Sequence, residues 1–137
     1  MRIKENQIQR ELCAYLKIQY PKVRFKSDMS GEYIGGSGAK NHFQTVRIAN
    51  QRSHKGFPDL QIYERQGKFC GLAIELKADH ASPYKKDGTL KREYTEQGKR
   101  HDQVLWLKHL AKIGWSADFA VGFNEAKTRI DNYLINE

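Results

Sequence analysis

Two strand-like runs joined by a short connection constrain the fold of this chain more than any other feature. Residues 57–63 and residues 69–77 both have the composition of β-strands, and only five residues, 64–68, separate them. A connection of this length is typical of a hairpin, in which the two strands lie side by side. The pair therefore predicts two neighbouring strands of one sheet.

Helical periodicity and residues that end helices define most of the remaining elements. Apolar residues recur at helical spacing in residues 3–19 and 94–113, and Pro21 and Gly114 favour an end to each segment. Asn124 can cap a last helix. The other predicted elements are a strand at 23–27, a glycine-rich loop at 28–38, a short helix within 39–51, a loop at 78–88 and a strand at 117–122. This order, α-β-(α)-β-β-α-β-α, predicts an α/β fold of one domain, residues 1–137, with a single mixed sheet and helices packed against it.

Composition limits where such a protein resides and what it contains. No run approaches the roughly 20 apolar residues of a membrane span, which argues against an integral membrane protein. The polar start of the chain lacks the apolar core of a secretory signal, so a cytosolic protein is expected. Cys13 and Cys70 form no CxxC pair, which favours free thiols over a zinc site or a disulfide framework.

Positive charge is in excess, and it is concentrated in two stretches. Lys and Arg total 24 against 16 Asp and Glu, which gives a formal charge of +8. Residues 33–58 contain no acidic side chain, and residues 85–100 form a second basic stretch. Either these stretches are solvated faces that keep the protein soluble, or they contact phosphate. Glycines in the first stretch favour phosphate contact, because they let backbone amides approach an anion closely. The candidate phosphate contacts are Lys40, Arg47, Arg52, Lys55, Lys85 and Lys86.

Charged residues inside the two strand-like runs indicate a site of chemistry. In a strand, Glu75 and Lys77 share one face, and the apolar residues beside them point to the other. Asp59 lies near the start of the preceding strand, so neighbouring strands place Asp59 and Glu75 side by side. Two carboxylates at close range repel each other unless one takes a proton or a cation lies between them, and Mg²⁺ prefers oxygen ligands. The alternative is an exposed ion pair between Glu75 and Lys77, which stabilises by less than about 1 kcal/mol.

Several short motifs, taken in order, make this chain similar to a known family. They are ENQIQ at 5–9, GFPDL at 56–60, IELK at 74–77, the run QxxWLxxLxxxG at 103–114 and FAVGF at 119–123. In these motifs the chain resembles the PD-(D/E)xK nucleases, and more narrowly the small stand-alone VRR-Nuc domains of phages and prophages. Residues 82–100 form a longer segment than in the shortest members, which leaves the start of the following helix open.

The resemblance implies a restriction-endonuclease-like (PD-(D/E)xK) core, in which helices flank a mixed four-stranded sheet. It also implies a metal site. Asp59 and Glu75 are implied to bind the ion, with the main-chain carbonyl of Leu76 and the carboxylate of Glu5 as further ligands. By itself, Glu5 is equally well interpreted as an ordinary first-turn glutamate that the helix dipole favours.

Two further roles follow from the same resemblance. Lys77 is implied to lie beside the attacking water or the scissile phosphate, where it stabilises developing charge. Gln103 is implied to orient the water or a ligand, and its alternative is a buried core amide. Tyr33, Phe43 and Trp115 are candidates for base stacking, although aromatic residues more often serve in packing.

The activity that the resemblance implies is Mg²⁺-dependent hydrolysis of a DNA phosphodiester bond, with Mn²⁺ expected to substitute. Stand-alone phage members imply a homodimer that cleaves branched DNA such as a four-way (Holliday) junction, encoded by a phage or prophage and active in the cytoplasm of the bacterial host. Two alternatives stay open: a less selective endonuclease for flaps, nicks or duplex in phage DNA metabolism, and a DNA-binding module that keeps the fold without cleavage. The chain has no GxxxxGK[ST] loop, so no nucleotide cofactor is expected.

Overall fold

The computed structural model describes residues 4–28, 46–47 and 49–135, in which three long helices flank a four-stranded sheet. The helices are α1 (Glu5–Gln19), α2 (His101–Lys112) and α3 (Gly122–Ile135), and a 3₁₀ turn spans Arg92–Tyr94. The strands are β1 (Phe25–Ser27), β2 (Leu60–Ile62), β3 (Leu72–Lys77) and β4 (Ser116–Val121). No helix in the described ranges is long and apolar enough to cross a membrane.

The sheet is mixed and has the order β1-β2-β3-β4. The pairs β1–β2 and β2–β3 are antiparallel, whereas β3 and β4 run parallel because α2 lies in the crossover between them. Leu60 lies opposite Ile74 and Ile62 lies opposite Leu72, which confirms that the two predicted strands pair. Both strands are shorter than residues 57–63 and 69–77, so nine residues, 63–71, separate them instead of five. All six residues of β3 are buried, since strands flank both of its edges. The predicted α/β class, with one mixed sheet and flanking helices, is confirmed.

Apolar side chains fill both faces of the sheet. On one face α1 and α3 pack against β2 and β3, where Leu12, Ile74 and Ile130 are among the buried residues of the larger core. On the other face α2 and the 3₁₀ turn form a smaller core around Tyr94 and Phe119. The two faces therefore differ, since the larger core is mainly aliphatic and the smaller one is built around two large aromatic rings.

A polar cluster ties α1 to α3 at the edge of the larger core. Asp131 of α3 accepts hydrogen bonds from the hydroxyl groups of Tyr15 at 2.6 Å and Tyr20 at 2.7 Å, and from Lys127 Nζ at 3.0 Å. Burial disfavours the Asp131 carboxylate, but these hydrogen bonds outweigh it and lower its pKa. The cluster fixes α1, and with it the first residue of that helix, against the rest of the fold.

The helix predicted over residues 94–113 begins later than expected, at His101. Residues 92–100 instead form the 3₁₀ turn followed by a tight reversal, in which the amide of Arg100 donates to the carbonyl of Glu93 at 2.7 Å. Gly98 permits this reversal, because a Cβ at that position would lie 2.3 Å from the backbone of Glu93. Tyr94 therefore belongs to the turn, and not to α2.

Smaller differences concern the ends of other elements. The strand predicted at 23–27 is regular only over Phe25–Ser27, although backbone hydrogen bonds to the partner segment continue at Arg24 and Asp28. The last helix begins at Gly122 directly after β4, which places Asn124 in its first turn instead of at its cap. Residues 46–47 and 49–50 are helical, as predicted. The rest of the loop and short helix predicted between 29 and 45, including Lys40, lies outside the described residues.

Candidate active site

The β2–β3 register places two carboxyl groups next to each other. Because Leu60 pairs with Ile74, the residue before β2, Asp59, lies opposite Glu75. Strand alternation turns Glu75 toward the face of the sheet that α2 covers, away from the aliphatic core beneath α1 and α3. Asp59 is held in place by its own hydrogen bond, because Asp59 Oδ2 accepts from the Leu76 amide at 2.8 Å.

Lys77 brings a positive charge to the same site. It follows Glu75 by two residues and therefore shares its face of β3. Lys77 Nζ lies 3.9 Å from Glu75 Oε1, and the two side chains are only 1% and 6% exposed. Burial of charged groups to this extent is unfavourable unless opposite charges and hydrogen bonds compensate for it. The predicted site residues that the structure brings together are Glu5, Asp59, Glu75, Lys77 and Gln103.

Glu5 and Gln103 reach the site from two different helices. Glu5 is the first residue of α1, and its Oε1 lies 3.8 Å from Lys77 Nζ. Gln103 lies in the first turn of α2, and its Oε1 accepts a hydrogen bond from Lys77 Nζ at 2.7 Å. Glu5 is thus a first-turn residue that also faces the site, and Gln103 is a partner of Lys77 instead of an isolated core amide.

Simultaneous ionisation of Asp59 and Glu75 is unfavourable. Burial raises the pKa of Asp59 to about 7, although the hydrogen bond from Leu76 lowers it. Burial also raises the pKa of Glu75 well above its usual value, and the nearby Asp59 raises it further. Burial lowers the pKa of the Lys77 amine, while Glu75 and Glu5 favour its charged form. Without a further cation, the carboxyl pair therefore retains a proton near neutral pH.

The donor atoms of the site suit a hard divalent cation. Glu75 Oε2 is buried and has no hydrogen-bond partner among the residues that the structure describes, so one carboxylate oxygen is available for a ligand. Oxygen donors, one or two carboxylates and several retained waters are typical of Mg²⁺. Within residues 4–28, 46–47 and 49–135, no three His, Cys, Asp or Glu side chains form a complete metal-binding group. The arrangement therefore fits a cation held partly through water and substrate oxygens.

Gln9 positions Asp59, and the sequence analysis does not identify it. The Gln9 side chain is buried, and its Nε2 donates to Ser27 Oγ at 2.5 Å, to the Asp28 carbonyl at 2.8 Å and to the Asp59 carbonyl at 3.0 Å. These bonds tie α1 to the ends of β1 and β2 directly beside the site. A signal was present, because Gln9 follows Glu5 by four residues and so lies on the same face of α1.

Two aromatic rings enclose the Lys77 amine, and neither is apparent from the sequence. The ring centroids of Tyr94 and Phe119 lie 5.1 Å and 5.9 Å from Lys77 Nζ. Both rings are buried, and such faces attract a cation. Phe119 reaches this position because it pairs with Glu75 across β3 and β4. A local sequence pattern cannot predict this pairing, because it depends on the parallel crossover between β3 and β4.

The predicted phosphate contacts lie on the surface. Arg47, Arg52, Lys55, Lys85 and Lys86 are exposed, and Lys40 lies outside the described residues. Lys55 Nζ is 3.4 Å from Asp102 Oδ2, close to the start of α2. Their contact with DNA stays a prediction, as does the role of the Leu76 carbonyl.

The three candidates for base stacking are Tyr33, Phe43 and Trp115. Tyr33 and Phe43 lie outside the described residues. Trp115 packs edge-to-face on Tyr63, with ring centroids 5.5 Å apart. This contact is a packing interaction, which is the more ordinary of its two interpretations, and base stacking by Trp115 stays a prediction.

Comparisons with known proteins identify the fold. No protein-family model matches this chain, and no curated protein sequence matches it. Among solved structures, the chain is similar to one described as a VRR_NUC domain protein, with 22% sequence identity and a TM-score of 0.58. That match covers 97% of this chain and 89% of the other. The chain therefore has the fold of a VRR-Nuc-type domain, and the predicted restriction-endonuclease-like core is confirmed.

Proposed function

We propose that this protein is a metal-dependent endonuclease that hydrolyses phosphodiester bonds in DNA. The observation that carries the proposal is the buried cluster in which Asp59 lies opposite Glu75 and Lys77 Nζ lies 3.9 Å from Glu75. The fold shared with a VRR_NUC domain protein supports a nuclease. The formal charge of +8 supports a polyanionic substrate.

Asp59 and Glu75 are the residues that would hold Mg²⁺, or Mn²⁺ in its place. The buried Glu75 Oε2, which lacks a hydrogen-bond partner within the described part of the chain, supports this assignment. Glu5 and the main-chain carbonyl of Leu76 complete the proposed set. When bound, the cation supplies Lewis-acid stabilisation of phosphate charge and lowers the pKa of a water. Gln9 keeps Asp59 in place through its hydrogen bond to the Asp59 carbonyl.

Lys77 is the group that acts on the reacting phosphate. Gln103 and the rings of Tyr94 and Phe119 fix the position of its amine before any substrate binds. From there the ammonium stabilises the negative charge that builds on the phosphate as water attacks the phosphorus in line with the 3′ oxygen. The bond between phosphorus and the 3′ oxygen breaks, the attacking water loses a proton, and the leaving 3′ oxygen takes one up. The products carry a 5′-phosphate and a 3′-hydroxyl.

We further propose that the substrate is branched DNA, with a four-way junction as the principal case, and that the protein acts as a homodimer. A two-fold symmetric junction needs two cuts, and a symmetric dimer supplies two sites. A chain of 137 residues offers little surface for reading branched DNA as a monomer. A less selective endonuclease for flaps, nicks or duplex is the alternative. The joint presence of Asp59, Glu75 and Lys77 argues against a module that only binds DNA.

Lys77→Met tests the catalytic group. We expect the cleavage rate to fall by at least about 100-fold, because a preorganised donor to the transition state is lost while the volume of the side chain is nearly kept. The dissociation constant for DNA, measured in chelator, should stay close to that of the wild type. Lys68→Met is the matched control, since Lys68 is an exposed lysine on the β2–β3 connection and the change in charge is identical. Retained turnover in Lys77→Met would remove Lys77 from the mechanism.

The raised carboxyl pKa values predict how the stability of the metal-free protein depends on pH. Below about pH 3 the carboxyls of Asp59 and Glu75 are protonated in both states and make no difference to stability. As the pH rises, the unfolded state releases these protons first, because the pKa of Asp59 is about 7 in the folded protein. In chelator, we therefore expect the Tm to fall by several degrees between about pH 5 and about pH 8, and Mg²⁺ to restore it at the higher pH.

The variant Glu75→Gln isolates the contribution of the carboxyl pair. It removes one of the two groups, so the Tm should depend less on pH, and Mg²⁺ should not raise it. Glu64→Gln, a change of an exposed glutamate between β2 and β3, should behave as the wild type does. Thermal unfolding followed by circular dichroism measures all three proteins. If Mg²⁺ stabilises Glu75→Gln as much as the wild type, Glu75 is not a ligand.

Substrate choice is tested by comparing a four-way junction with a linear duplex of the same sequence. At matched ionic strength, which is essential because phosphate contacts make affinity salt-dependent, we expect the junction to be cut at least about tenfold faster. Sedimentation should show a dimer under the same conditions. Equal rates on the two substrates would favour the less selective endonuclease. A monomer would exclude the proposal that one dimer makes both cuts in a junction.

A further inference from the structure

An open cavity of about 430 Å³ lies between residues 53–55 and α2. Its walls carry an indole, an exposed leucine, two imidazoles and an ion pair, contributed by Trp106, Leu105, His54, His109, Lys55 and Asp102. Cavities of this size are typical of sites for small organic groups. The mechanism proposed above uses none of these side chains.

The cavity shares its walls with the two segments that carry the candidate active site. Lys55 is four residues before Asp59, and Asp102 directly precedes Gln103. Gly56, at φ +92°, lets these segments meet, because a Cβ there would lie 2.7 Å from the carbonyl carbon of Asp102. A group bound in the cavity is therefore adjacent to the segments that hold the reacting phosphate.

Trp106 gives the cavity a fixed aromatic surface. Its Nε1 donates to the His54 carbonyl at 3.2 Å, and its ring packs edge-to-face on Phe57 with centroids 4.8 Å apart. Leu105 extends this apolar wall and is 49% exposed. Aromatic side chains held in place in this way bind the bases of single-stranded nucleic acid by stacking, with little preference for sequence.

The charged groups of the cavity are compatible with a polyanion. Lys55 Nζ lies 3.4 Å from Asp102 Oδ2, so the carboxylate is neutralised and does not repel phosphate. His54 and His109 add ring nitrogens, which can donate hydrogen bonds to phosphate or base oxygens. An aromatic wall with hydrogen-bond donors at its rim matches a nucleotide, whose base is flat and apolar on its faces and whose phosphate oxygens accept hydrogen bonds.

We propose that this cavity binds one unpaired nucleobase of the DNA strand that is cut, an inference that rests on the proposed nuclease function. A base within a continuous duplex is stacked and paired, so it cannot enter a protein cavity unless it leaves the stack. The cavity therefore favours DNA that presents an unpaired base beside the scissile phosphate. Flaps and frayed ends have this property, and a four-way junction gains it when a base pair at its centre opens.

One test alters the exposed wall of the cavity without disturbing the fold. Leu105→Glu places a carboxylate at the rim, and Ile113→Glu makes the same change at a residue that is 54% exposed beyond the last turn of α2. Binding of a fluorescent single-stranded oligonucleotide is measured by anisotropy with divalent metal chelated. We expect Leu105→Glu to weaken binding by about tenfold and Ile113→Glu to change it by less than about twofold.

A second test locates the bound base on the DNA. Oligonucleotides that each lack one base, at successive positions around the cleavage point, are compared with the complete strand. For the wild type we expect one position at which loss of the base weakens binding by about tenfold. At that position the affinity of Leu105→Glu should not fall further, because both changes remove the same contact. In a Trp115→Phe background, fluorescence of Trp106 should be quenched by the complete strand and not by the strand that lacks this base.

The outcomes separate the two proposals. Equal dissociation constants for Leu105→Glu and Ile113→Glu, or equal affinities for every base-deleted strand, would overturn the cavity assignment. If the wild type still cuts DNA with Mg²⁺ in that case, the nuclease proposal stands. If the wild type neither binds nor cuts any of these DNA molecules, both proposals are overturned.

Discussion

Two carboxyl groups on neighbouring strands, buried opposite each other, are the constraint on which the rest of the site depends. Asp59 and Glu75 repel each other when both are ionised, and burial strengthens this repulsion because the surroundings are less polarisable than water. The ammonium of Lys77 lies 3.9 Å from Glu75. The single positive charge of Lys77 does not neutralise two buried carboxylates, and Glu5 adds a third carboxylate nearby. Near neutral pH the site therefore takes up either a proton or a further cation, and the second case is the physical basis of the proposed chemistry.

The surrounding residues fix this cluster from separate parts of the chain. Gln9 of α1 holds the backbone of Asp59, Gln103 of α2 holds the amine of Lys77, and Tyr94 of the 3₁₀ turn covers it. Because each contact comes from a different element, the geometry exists only once those elements have packed on the sheet. The cavity that contains Trp106 adjoins the same segments, so cleavage and recognition of DNA would be coupled through α2 and residues 53–59.

The parts of the site that depend on local pattern could be predicted from the sequence. The hairpin and strand alternation predicted that Asp59 and Glu75 lie side by side, since the two residues are close along the chain. The resemblance implied that Glu5 belongs to the site, and Gln9, four residues later, lies on the same face of α1. Non-local contacts could not be predicted. Tyr94 lies in a segment with helical spacing that reverses at Gly98, and the cavity forms only where residues 53–55 meet α2.

Anomalous X-ray scattering from crystals grown with Mn²⁺ would reveal whether Asp59 and Glu75 share a divalent cation. We expect one anomalous peak at about 2.1 Å from a carboxylate oxygen of each residue, with the Lys77 amine beside it and the remaining positions filled by water. The contradictory result is a map with no peak between the two carboxyls at saturating Mn²⁺, with the pair bridged by a proton or by the Lys77 ammonium alone.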